Sequence, residues 1–239
     1  MTSKARLFYS KELKKGLISK LSESQSHYTK NVMRLKPGDK ISLFNSSSGE
    51  WDVSILTQGK DLTEFKVEKF SRPQEKENNL WLAFSPIKKI PQDIMLQKTT
   101  ELGIQKFVPL LCERSVVREI NIERAKKIVT EASEQSNRIS VPEILKIQNL
   151  ENFIKNFPEN GNLIFCDINC ESSNLKNILS KKDPACILIG PEGDFSENER
   201  QLIVNNKKTV SISLAKNILR AETAAISATT ILSYNFNFK

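Results

Sequence analysis

The sequence predicts an α/β protein: a small β-rich N-terminal domain followed by a larger domain built on a parallel sheet. Three observations point there. Alternating strand patterns with turn signals fill the first 72 residues. Short apolar runs alternate with helical patterns through the remainder. Between them lies Ser71-Arg72-Pro73-Gln74-Glu75-Lys76-Glu77-Asn78-Asn79, which is polar and has no apolar periodicity. The predicted domains are therefore residues 1–72 and 73–239, both of ordinary domain size.

In the first domain, Arg6-Leu7-Phe8-Tyr9 is a short strand. A helix is predicted from Ser24 to Met33. Lys40–Phe44, Trp51–Leu56 and Glu64–Phe70 alternate polar and apolar residues, as half-buried strands do. Pro37-Gly38-Asp39 and Ser46-Ser47-Ser48-Gly49 supply turns. Strands of this kind suit a small barrel.

In the second domain, Leu80–Phe84 is a strand. Ile90–Leu102 is a helix with Gly103 just past its end. Phe107–Leu110 is a strand, and Asn121–Arg138 a long amphipathic helix. Leu163–Cys166 and Cys186–Ile189 are apolar throughout, as parallel strands buried on both faces should be. Ser196 is the N-cap of another helix, with Glu199 at the capping-box position. Val210–Leu214 is the last strand, and a final helix runs from Leu219 to Tyr234.

Composition excludes several classes. The 239 residues include only 8 Gly and 9 Pro, so collagen-like and low-complexity chains are excluded. Charges interrupt every apolar stretch before it reaches the ~18 residues a spanning helix needs. The N-terminus lacks the apolar core of a signal peptide, so a cytoplasmic protein without membrane contact is expected. Cys112, Cys166, Cys170 and Cys186 have no paired spacing, and His27 is the single histidine. No metal is therefore expected, and a histidine-dependent hydrolase is disfavoured. The net charge is +8; residues 1–72 hold 14 Lys+Arg against 8 Asp+Glu and so carry most of it.

Two segments carry candidate chemistry. Ile187-Leu188-Ile189-Gly190-Pro191-Glu192-Gly193-Asp194-Phe195-Ser196 takes a buried strand into a Gly-Pro-x-Gly turn and then a helix. Ligands in open α/β sheets bind outside the carboxyl ends of strands, and glycine there lets the backbone come close. The spacing is neither that of a dinucleotide fingerprint nor that of a P-loop. Ser213-Leu214-Ala215-Lys216-Asn217-Ile218-Leu219-Arg220-Ala221-Glu222-Thr223-Ala224 repeats the arrangement. Arg220 and Glu222 stand at its helix start, where unpaired amides can meet a ligand. Each segment read alone also fits an ordinary turn; two in one sheet favour a shared pocket.

The pair Gly190-Pro191-Glu192-Gly193 and Ile218-Leu219-Arg220-Ala221-Glu222-Thr223-Ala224 resembles the signature of SPOUT-class RNA methyltransferases. More narrowly, it resembles the RsmE family, which methylates N3 of a uridine in 16S ribosomal RNA. Gln97–Gly103 is similar to that family's K-x-x-E-L-G helix, Glu113-Arg114-Ser115 to its E-R-S segment, and Glu131–Arg138 with Pro142 to its E-A-x-E-Q-x-x-R helix. His27-Tyr28 and Val32–Asp39 resemble its PUA-like domain. The match spans nearly the whole chain in order. Two positions depart from the pattern: Asp194 and Ala215 stand where the family has glycine.

The resemblance implies a C-terminal SPOUT domain tied in a trefoil knot and an N-terminal PUA-like β-barrel. It implies S-adenosyl-L-methionine as cofactor, held by Leu188, Ile189, Gly190, Glu192 and Gly193 on one wall. Leu214, Ala215, Asn217, Ile218 and Leu219 would form the other, with Phe165, Cys166 and Asp167 completing the site. Arg220 and Glu222 are the implied catalytic residues, and Glu222, or less favourably Glu192, the candidate base. Arg6, Arg34, Lys36, Arg114, Arg118 and Arg138 are the candidates for holding 16S rRNA in the small subunit, with Lys30 and Lys40 nearby. The small residues of the final helix imply a homodimer through that helix and the knot. A SPOUT enzyme for another RNA site, or a non-catalytic RNA-binding ribosome-assembly module, is the alternative.

Overall fold

The computed structural model describes residues 5–59, 62–74, 78–170 and 184–237. The chain forms two compact units. Unit 1 is Met1–Lys76 together with Ser133–Val141; unit 2 is Glu77–Ala132 and Pro142–Lys239. The sequence predicts one cut near residue 72. The structure moves it by a few residues and assigns a nine-residue segment, 133–141, to the other unit. Glu75–Glu77 of the predicted linker lie outside the described residues.

Unit 1 is a five-stranded sheet in the order β1-β3-β4-β5-β2. Its strands are β1 (Arg6–Phe8), β2 (Ile18–Lys20), β3 (Lys40–Asn45), β4 (Gly49–Gln58) and β5 (Thr63–Arg72). β1 and β3 run parallel and the other pairs antiparallel. Three register shifts interrupt the β4–β5 ladder, and such bulges increase twist. Leu7, Tyr9, Ile41, Leu43, Val53, Phe65 and Val67 form the core, on the alternate positions that the period of two assigns. The predicted helix over 24–33 is instead α1 (Glu23–His27) followed by one π-turn over Tyr28–Val32.

Arg6 fixes the segment 133–141 inside unit 1. Its guanidinium donates to both carboxylate oxygens of Glu50, at 3.1 and 3.0 Å, and to the carbonyls of Glu134 at 2.8 Å and Arg138 at 2.9 Å. Arg72 adds a bond to Glu50 at 2.9 Å and one to the Asn137 carbonyl at 2.8 Å. Burial pushes the Glu50 carboxyl up, but the hydrogen bond and charge of Arg6, with those of Arg72, outweigh it and hold it below the usual range.

Among the described residues, unit 2 holds seven strands, all parallel, in the order β12-β10-β11-β6-β7-β8, with β9 also on β7. They are β6 (Leu80–Phe84), β7 (Lys106–Leu111), β8 (Glu143–Ile144), β9 (Gln148–Asn149), β10 (Asn162–Cys166), β11 (Ala185–Ile189) and β12 (Thr209–Ile212). The helices are α2 (Lys89–Glu101), α3 (Ile122–Gln135), α4 (Leu150–Lys155), α5 (Glu197–Val204) and α6 (Ala221–Asn237). Every residue of β11 is buried, and each large apolar side chain so buried contributes roughly 1.5–3 kcal/mol. Leu163, Phe165, Cys186 and Leu188 face α4 and α5 through Phe153, Ile154 and Ile203. By pleat alternation Ile164, Ile187 and Ile189 face the other way, and α6 packs on β11 and on α2 there. Gly103 follows α2 at φ +107, the left-handed conformation expected of a residue just past a helix end. α3 ends at Gln135 rather than Arg138, because Asn137 turns left-handed at φ 66.

Candidate functional site

A cavity of about 550 Å³ opens at the carboxyl ends of four adjacent strands, β12, β10, β11 and β6. Its walls are the loops that follow them. Lys88 and Pro91 come from the start of α2, Cys166–Ile168 from the end of β10, Ile189–Glu192 with Asp194 and Phe195 from the end of β11, and Ser213–Ala215 with Asn217–Glu222 from the segment that leads into α6. The size is that of a site for a nucleoside-scale molecule. No three of the described His, Cys, Asp or Glu residues cluster as a metal site.

Gly190 needs to be glycine because of Phe195. A Cβ at Gly190 would lie 2.7 Å from the Phe195 ring, and that ring is buried and packed edge-on against Phe165 at 5.5 Å. The turn closes when the Asp194 amide donates to the Pro191 carbonyl at 3.0 Å. Asp194 sits at φ 60, and its carboxylate accepts the Phe195 amide at 2.8 Å. Ser196 and Glu199 form the predicted capping box. The second Glu199 oxygen accepts the Glu113 amide at 2.8 Å, and Arg114 donates to the Gly193 carbonyl at 3.3 Å. The E-R-S segment thus braces the glycine turn from outside the cavity.

In the second loop the Arg220 carbonyl accepts the Ala224 amide at 2.8 Å and so opens α6. The preceding amides have no acceptor within the helix and give this end a partial positive charge. Arg220 is exposed and Glu222 half-buried, and both line the cavity.

Asp167 closes the third wall. It is buried, and its Oδ1 accepts Arg200 at 2.7 Å and the Asn169 amide at 2.9 Å. The hydrogen bond with Asp167 raises the Arg200 pKa. Burial pushes the neighbouring Cys166 thiol up to about 12, so it stays protonated and inert.

The structure thus brings Ile189, Gly190, Glu192, Leu214, Ala215, Asn217, Ile218, Leu219, Arg220 and Glu222 to one cavity. Two residues of the cofactor set stand apart from that lining. Leu188 points into the core, fully buried, so only its backbone can face a ligand. Gly193 is turned to Arg114 instead, where an added Cβ would make an ordinary contact at 3.5 Å. Phe165 lies behind Phe195, not on the wall. Lys88, Pro91 and Arg200 were not anticipated. The strand-end rule reaches Lys88, which follows β6; nothing local marks Arg200, whose partner lies 33 residues away.

The proposed RNA contacts divide. Arg34, Lys36, Arg114 and Arg118 are exposed. Arg6 and Arg138 are not, and this corrects their assignment. Arg6 has spent its donors on Glu50 and backbone carbonyls, with its side chain 12% exposed. Arg138 is buried and donates to Ser140 at 3.1 Å.

Comparison with known proteins gives this site a family. An RNA methyltransferase domain model matches residues 74–233, and an RNA methyltransferase PUA domain model matches residues 21–68. The chain is 38% identical over 213 residues to a ribosomal RNA small subunit methyltransferase E of Rickettsia conorii, covering 87% of this chain and 85% of that protein. It is 33% identical to the protein of that name from Synechocystis, covering 85% and 69%. A crystal structure of a ribosomal RNA small subunit methyltransferase E from Neisseria gonorrhoeae, bound to S-adenosyl methionine, superposes with a TM-score of 0.89 at 26% identity over 99% of this chain and 100% of that one. A putative methyltransferase from Legionella pneumophila, in complex with the cofactor, gives 0.87 at 26% identity over 97% of both chains. Fold and site therefore define an RNA methyltransferase with a PUA domain. Within that class, the chain belongs to the ribosomal RNA small subunit methyltransferase E family.

Proposed function

We propose that this chain methylates N3 of a uridine in the 16S rRNA of the small ribosomal subunit, with S-adenosyl-L-methionine as cofactor. One observation carries the reading: both signature segments, 190–193 and 218–224, converge on the cavity at the strand ends. The cavity fits the cofactor. It is large enough, a side chain at Gly190 would collide with Phe195, which shares the cavity wall, and Ile189, Leu214, Ile218 and Leu219 offer apolar surface beside backbone groups. The bound cofactor supplies a methyl group on a positively charged sulfur. The backbone of 189–192 and 214–219 holds and orients it; Leu188 contributes through its backbone, and Gly193 through the turn it keeps with Arg114.

The protein then has a proton to move. N3 of uridine carries one, and Glu222 takes it, while Arg220 stabilises the negative charge that develops on the ring. N3 lies on the pairing edge of the base, so the uridine enters unpaired. Arg34, Lys36, Arg114 and Arg118 hold phosphates. The trefoil knot and a homodimer belong to the same proposal. Ile90 and Ile94 of α2 and Ile231 and Tyr234 of α6 are exposed on helices that pack together, and they give a second copy an apolar face.

Calorimetric titration with S-adenosylmethionine tests the cofactor, wild type beside Gly190→Trp. Saturable binding that the Trp abolishes supports the site. Small subunits lacking the modification, incubated with enzyme and cofactor, then report the product by mass spectrometry of nuclease digests. Methyl on N3 of a uridine supports the reading; methyl on another atom selects the other-site alternative, and binding without transfer the non-catalytic one. Glu222→Gln is expected to lower transfer by about 100-fold or more with cofactor affinity intact.

A further inference from the structure

We propose that Asp167, held in place by Arg200, accepts hydrogen bonds from the ribose hydroxyls of the bound cofactor. The proposal rests on the reading that the cavity holds S-adenosylmethionine.

Asp167 ends β10, and its amide donates to the Ile212 carbonyl of β12 at 2.9 Å. Its side chain is only 4% exposed, yet the residue lines the cavity. A buried carboxylate needs its oxygens occupied. Here only Oδ1 is, by Arg200 at 2.7 Å and the Asn169 amide at 2.9 Å. Oδ2 has no partner among the described residues, and it belongs to a residue of the cavity lining. Among the described residues, a strong acceptor on the cavity lining is thus left without a protein donor.

Charge decides which donor fits. The Arg200 guanidinium already neutralises this carboxylate, so a second cation on Oδ2 would sit close to a like charge. That disfavours the cofactor's ammonium group and favours neutral donors. The ribose offers two adjacent hydroxyls. A carboxylate at a strand's carboxyl end gripping a ribose hydroxyl is also a recurrent solution in α/β nucleotide sites. The adjoining apolar residues, Ile189, Leu214 and Ile218, are left to the adenine ring. Arg200 is a positioning residue in this scheme. Its bond fixes the rotamer of Asp167, and its Cζ lies 5.9 Å from the Phe165 ring centroid.

The test is a ligand–mutant cycle by calorimetry, with three probes: S-adenosylhomocysteine, its 2′-deoxy analogue, and 5′-methylthioadenosine, which lacks the ammonium and carboxylate. Wild type is expected to prefer S-adenosylhomocysteine over the deoxy analogue by about tenfold. Asp167→Ala should bind those two alike, and should lose the same factor for methylthioadenosine as for S-adenosylhomocysteine. An undiminished preference in Asp167→Ala would overturn the proposal. So would a penalty that vanishes with methylthioadenosine, which would place the ammonium on Asp167. Asp167→Leu, checked by its melting transition, also removes the acceptor and carries the same test if the alanine variant does not fold. Absence of binding by wild type to S-adenosylhomocysteine and S-adenosylmethionine alike would sink the cofactor reading itself, and this proposal with it.

Discussion

Each unit buries a carboxylate beside arginine, and the two differ in what is left over. In unit 1, Glu50 takes two bonds from Arg6 and one from Arg72, and both its oxygens are occupied. In unit 2, Asp167 takes two bonds on one oxygen and none of the described protein donors on the other. Burial and ion pairing are common to both. A closed cluster holds a chain segment in place. An open one, lining a cavity, has capacity for a ligand. The arginines follow the same division: Arg6 binds Glu50 and backbone carbonyls together, whereas Arg200 serves one carboxylate and keeps its side chain 28% exposed.

The sharpest way to break the comparison is to remove Glu50. Glu50→Ala leaves Arg6 and Arg72 without their carboxylate, and breaking a buried pair from one side costs about 3–5 kcal/mol. Urea denaturation should show a loss near the lower figure, since Arg72 is partly solvated. The pH dependence follows from the lowered Glu50 carboxyl. Its contribution is fully present above the usual value of 4.5 and is lost as pH falls through the lower folded value. Glu50→Gln should flatten that part of the acid limb; an unchanged limb would mean the pair contributes nothing.

The second largest effect is expected at Gly190. An alanine Cβ would meet Phe195 at 2.7 Å, and Phe195 cannot retreat from Phe165. Overpacking of this kind costs about 1–3 kcal/mol, and cofactor affinity should fall with it. Adding Phe195→Leu should recover part of both losses, because neighbouring sites couple. If the pair is simply additive, the ring is not what excludes a side chain there. Asp167→Ala comes third, at roughly 1–2 kcal/mol in stability. It should cost less than Glu50→Ala, because Arg200 can turn to solvent, and more in cofactor affinity than in folding.

The same contrast explains what the sequence could and could not reveal. The parallel sheet was legible because strands buried on both faces read as unbroken apolar runs, Leu163–Cys166 and Cys186–Ile189. The Ser196–Glu199 cap was legible because its parts lie three residues apart. β2 has three residues and no buried one, and α4 has six, so neither shows a period. Positive charge at Arg6 and Arg138 was legible, but not its direction. Arg6 turns inward because Glu50 and residues 134–138 wait there, between 44 and 132 positions along the chain. The glycine turn was visible, whereas its cause, the Phe195 ring, needs the fold. Asp194 was a departure from the family's glycine, and the structure gives the reason it is tolerated. The position is left-handed, and aspartate is among the few residues that enter this region readily.

That position supplies the smallest prediction and a last comparison between the units. Asn137 in unit 1 and Asp194 in unit 2 both adopt positive φ, 66° and 60°. Asn137 presents its carbonyl to Arg72 at 2.8 Å, while Asp194 accepts the next amide with its own carboxylate at 2.8 Å. Alanine has no such acceptor and meets the full steric penalty, so Asp194→Ala should cost about 1 kcal/mol. Glycine is free in this conformation, and Asp194→Gly should stay within about 0.5 kcal/mol of wild type, with cofactor affinity unchanged. Thermal melts of the two variants decide it. If alanine is as stable as glycine, backbone conformation does not govern residue 194. The aspartate would then matter for its place on the cavity wall, and its effect would move from the melting curve to the binding isotherm.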